Sequence, residues 1–104
     1  MKILFDQITP APLRHELAGH SVSTAGEMGW SNLDNGDLLR EAEDAFELPV
    51  TTDQNLKYQQ NLAGRRIAIL VLITTSWPRI QRGVSDNVAA IATIQPGEFR
   101  ELSF

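Results

Sequence analysis

A chain of 104 residues, 42% hydrophobic and 21% charged, has the size and composition of one globular domain with a modest core. Nine Lys plus Arg against thirteen Asp plus Glu leave a net charge of −4, which confines any nucleic-acid contact to a local basic patch. Cysteine is absent, so disulfide scaffolds, thiolate metal sites and cysteine nucleophiles are excluded; a cytoplasmic setting is expected.

The opening run Ile3-Leu4-Phe5 meets Asp6 too early to form the core of a signal peptide. It reads instead as a short buried strand closing on that aspartate. Thr9 and Pro10 predict a helix start, with threonine as N-cap and proline at the first helical position. Leu13 and Leu17 share one face of this helix, and Gly19 is placed to end it. His20 to Thr24 alternates around Val22 as a second strand, and a turn-rich stretch runs from Gly26 to Gly36. From Asp37 the apolar positions Leu38, Leu39, Ala42, Ala45 and Phe46 keep helical period, with Arg40, Glu41, Glu43 and Asp44 on the wet face.

Leu48 to Asp53 reads as a third strand that again closes on an aspartate. Pro49 belongs near its start or at a sheet edge, having no N–H to give a ladder. A short polar helical segment follows through Tyr58, and Gly64 ends the connection. Ile67 to Ile73 is the most apolar run, far short of the about 20 residues of a helical membrane span. It is expected at the centre of the sheet, buried on both faces. Ser76, Trp77 and Pro78 open a last helix carrying Ile80, Val84, Val88, Ile91 and Ile94, and Phe99 to Phe104 forms a closing strand. Alternating strands and helices predict an α/β domain with a mainly parallel sheet covered on both faces. In such folds the functional site lies beyond the carboxyl ends of the strands.

That rule brings three carboxylates to one edge. Asp6 and Asp53 end strands, while Asp37 opens the helix that runs back to the third strand. Clustered carboxylates repel one another unless a cation sits among them. Mg²⁺ or Mn²⁺ suits such a site, keeping waters for a phosphate substrate. The competing explanation is local: aspartate favours strand-end turns and the first turn of a helix. His15-Glu16 and His20 resemble a zinc-protease motif, but the histidines sit five positions apart, roughly 140° around a helix, and read as surface or cap residues. Arg65, Arg66, Arg79 and Arg82, with Lys57, are candidates for a local basic patch, and Tyr58 and Trp77 for stacking on bases. Scattered surface arginines and a core tryptophan are the plainer alternative.

The ordered set Ile3-Leu4-Phe5-Asp6, Gly36-Asp37-Leu38-Leu39 and Val50-Thr51-Thr52-Asp53-Gln54-Asn55-Leu56 resembles a compact PIN-like domain. Glu27-Met28-Gly29-Trp30 and the block from Tyr58 to Arg66 are similar to a bacterial subgroup of small PIN-like proteins, and the likeness extends through Thr74-Thr75-Ser76-Trp77-Pro78. The resemblance implies one domain over residues 1–104, with a three-layer α/β/α fold and a short, mainly parallel sheet. It further implies Mg²⁺- or Mn²⁺-dependent ribonuclease activity, commonly that of the toxin in a toxin–antitoxin pair. By position Asp6, Asp37 and Asp53 match the metal-binding acids, and Glu27 the additional acid. Thr51 or Thr52 matches the hydroxyl beside the last acid, with Thr52 assigned to the site. RNA contacts are expected from Arg65, Arg66, Arg79 and Lys57. An antitoxin protein and a homodimer are the partners the resemblance implies, with no membrane. Two other classes stay open, a module that binds RNA or a protein without cleaving, and a purely structural subunit.

Overall fold

Five short segments become the strands, each four residues long. They are β1 (Lys2–Phe5), β2 (Ser21–Thr24), β3 (Leu48–Thr51), β4 (Ile69–Leu72) and β5 (Phe99–Leu102). The computed structural model describes residues 1–33, 35–53 and 67–103. The strands form one sheet in the order β2-β1-β3-β4-β5, with every neighbouring pair parallel. A 3₁₀ segment (Ala11–Glu16) joins β1 to β2, and α1 (Asn35–Ala42) precedes β3. Two helices, α2 (Trp77–Arg82) and α3 (Val84–Thr93), lead into β5. The protein is therefore an α/β domain with an all-parallel sheet.

The alternation of side chains along each strand divides the core into two layers. Ile3, Phe5, Leu48, Val50, Leu70 and Leu72 face Leu13, Leu17, Ile80 and Ile91, so the 3₁₀ segment and the last two helices cover one face. On the other face Leu4 packs with Leu38 and Ala42, and Leu39 packs with Ile69 and Val71, so α1 is the cover. A sheet buried on both faces explains why β3 and β4 read as continuous apolar runs, each wholly buried.

Several expectations require correction. Thr9 is not a helix cap: the 3₁₀ segment is capped by Pro10 without a side-chain bond, because the Thr9 hydroxyl is engaged elsewhere. Pro49 lies near the start of its strand, as read, but β3 is the central strand. It is tolerated because pairing of β3 with β4 begins only at Val50, after the missing N–H. The Ile67 to Ile73 run supplies β4, an interior strand beside the central one. The single last helix is two, broken at Gly83, whose φ of −101° and ψ of 20° leave helical geometry. On the second helix the buried face is made by Asn87, Ala90 and Ile91, and Val88 is 43% exposed. Ala45 is exposed because α1 has already ended at Ala42. Trp30 and Trp77 are half-buried; Trp30 meets Phe46 edge-on at 6.0 Å between ring centroids, and Trp77 packs against the layer containing Ile80. The helical segment expected through Tyr58 lies outside the described residues.

Candidate functional site

The chain leaves β1 for β2 on one side and returns to place β3 on the other. The strand order thus reverses at β1, and the carboxyl ends of β1 and β3 form the switch point where such sheets bind ligands. Asp6 follows β1 there, with Thr51 ending β3 and Asp53 two residues on. Asp6 is only 7% exposed, an unusual degree of burial for a carboxylate, which requires partners.

Those partners come from both strands. Asp6 Oδ1 accepts the backbone N–H of Ile8 at 3.2 Å and that of Thr9 at 2.9 Å. The Thr9 hydroxyl oxygen lies 2.6 Å from the same Oδ1 and 3.0 Å from the Val50 carbonyl. One hydroxyl has one proton, and the shorter contact to a charged acceptor takes it. The Val50 carbonyl is in any case satisfied by the Asp6 N–H at 3.2 Å. Asp6 Oδ2 accepts the hydroxyl of Thr51, whose oxygen in turn accepts the Asp53 N–H at 3.0 Å. One side chain therefore ties the buried carboxylate to the backbone of the second strand-end aspartate. Asp53 and Thr52 are half-buried. The hydroxyl that reaches Asp6 belongs to Thr51.

Helix α1 packs its Leu38 and Leu39 above this pair, enclosing a cavity of about 10 Å³ that Leu4, Asp6 and Thr51 also line. That space holds at most about one water. Asp37, in the first turn of α1, forms an ion pair with Arg40 one turn on. Glu27 is held elsewhere. Its carboxylate pairs with Arg14 and accepts the Thr24 N–H at 2.9 Å, while its own N–H donates to the Thr24 hydroxyl at 3.1 Å. The Arg14 hydrogen bond, then the Thr24 N–H, lowers its pKa below the ordinary 4.5. This reciprocal Thr24–Glu27 exchange has the form of a capping box. Among the described residues no group of three or more His, Cys, Asp or Glu side chains is arranged to hold a metal ion.

Of the expected basic residues, Arg79 is exposed on α2, where it and Arg82, Gly83 and Asp86 border an open cavity of about 250 Å³. Lys57, Arg65 and Arg66 lie outside the described residues, as does the stacking candidate Tyr58. Sequence reasoning missed Thr9 as a site residue. The available signal was an aspartate followed three positions later by threonine, a spacing that lets a carboxylate gather local backbone N–H groups. Among the described residues no helix is long and apolar enough to cross a membrane.

The fold and the site define a parallel α/β protein with a hydrogen-bonded carboxylate buried at its switch point. No family model, curated protein or solved structure matches the chain significantly.

Proposed function

We propose that the protein is a PIN-like, metal-dependent ribonuclease, the toxin of a toxin–antitoxin pair, cleaving RNA phosphodiesters at the carboxyl edge of β1 and β3. The observation that carries this reading is the burial of Asp6 at the switch point, with its Oδ2 linked through Thr51 to Asp53. A carboxylate kept at that position by four hydrogen-bond donors is prepared for a cation or a polar ligand.

In this reading the cation would be Mg²⁺ or Mn²⁺. Mg²⁺ is commonly held by one or two carboxylates, the rest of its octahedron being left to water and phosphate. Asp6 would bind through Oδ2, and Asp53 would supply the second carboxylate. Asp37 would act as a third ligand or as an orienter of water, which requires release from Arg40. Glu27 would join only on leaving Arg14. The chemistry the bound cation supplies is charge neutralisation at the phosphoryl oxygens and acidification of a water. Thr51 holds the Asp6 carboxylate in place, and Arg79, with Lys57, Arg65 and Arg66, would contact RNA phosphates. Cytoplasmic location, neutralisation by an antitoxin and assembly as a homodimer belong to the same reading.

The deciding experiment incubates single-stranded RNA with the protein and Mn²⁺, with EDTA, and with Asp6→Asn. Cleavage that requires both Mn²⁺ and Asp6 is expected. Cleavage indifferent to either removes the enzyme reading. A second reading, a PIN-like module that binds RNA or a partner without cutting, is favoured by the engagement of Asp37 with Arg40 and of Glu27 with Arg14. It requires RNA or partner affinity with no cleavage under any cation.

A further inference from the structure

We draw no further inference here: the strongest candidate, the open cavity at the start of α3 bordered by Arg79, Arg82, Gly83 and Asp86, rests on a helix N-terminus, and the buried atom beside it that lacks a partner among the described residues, Asn87 Oδ1, is an acceptor and does not point to the anion that arginines and a helix start would hold.

Discussion

Thr51 donates its hydroxyl to Asp6 across the boundary between β3 and β1, forming a buried link between the two central strand ends. The same oxygen accepts the Asp53 N–H at 3.0 Å, so this link sets both the Asp6 carboxylate and the path of the chain toward Asp53.

Thr51→Val should therefore cost about 1–3 kcal/mol, because it removes a donor from a buried carboxylate and an acceptor from the Asp53 N–H. Thr52→Val, one position on, should cost about 0.5 kcal/mol or less. Urea unfolding of the two variants at neutral pH measures the difference. Equal losses would show that the hydroxyl bonded to Asp6 has no special weight.

The Glu27–Arg14 pair predicts an acid-sensitive contribution. The folded-state pKa of Glu27 lies below the ordinary 4.5, chiefly through Arg14 and then the Thr24 N–H. A depressed carboxyl adds stability above its unfolded-state pKa and loses it as pH falls through the folded value. The gap in urea midpoint between wild type and Glu27→Gln should thus be present near neutral pH and close on acidification. The pair is solvent-exposed, so added salt should also narrow the gap. A gap that widens in acid would refute the assignment.

Gly19 lies in the turn before β2 with φ at +88°, and a Cβ there meets nothing within 4 Å. Backbone conformation alone then sets the effect of substitution. Gly19→Ala should lose about 1–2 kcal/mol. A Cβ at Gly26 meets only the Thr24 hydroxyl at 3.8 Å, an ordinary contact, so Gly26→Ala should stay within about 0.5 kcal/mol of wild type. Thermal unfolding of both variants separates backbone strain from crowding.

The unequal burial of Ile80 and Val88 predicts unequal losses. Ile80 is wholly buried, so Ile80→Ala should cost about 2–5 kcal/mol. Val88 is 43% exposed, so Val88→Ala should remain within about 0.5 kcal/mol. Comparable losses in denaturant unfolding would place Val88 in the core.

Much of this architecture is legible in the chain. Ile3-Leu4-Phe5 and the run through Ile69-Leu72 announce buried strands because a parallel sheet covered on both faces makes every strand position apolar. The placement of Asp6 and Asp53 near strand ends follows from where those runs stop. Other features deceive. Val88 and Ile91 share the spacing of one apolar stripe, yet the buried face of the helix Val84–Thr93 runs through Asn87, Ala90 and Ile91 and leaves Val88 outside it.

The sequence by itself determined the alternation of strands and helices, the aspartates at strand ends and the burial of the apolar runs, because each depends on neighbours along the chain. Only the tertiary structure decided that β3 lies beside β1, that Thr51 bonds Asp6, and that Thr9 serves a carboxylate rather than a helix. These depend on strand order and register. Thr51 meets Asp6 at a sequence separation of 45, and local periodicity, which reports the face of an element, carries no information about which strand lies beside it.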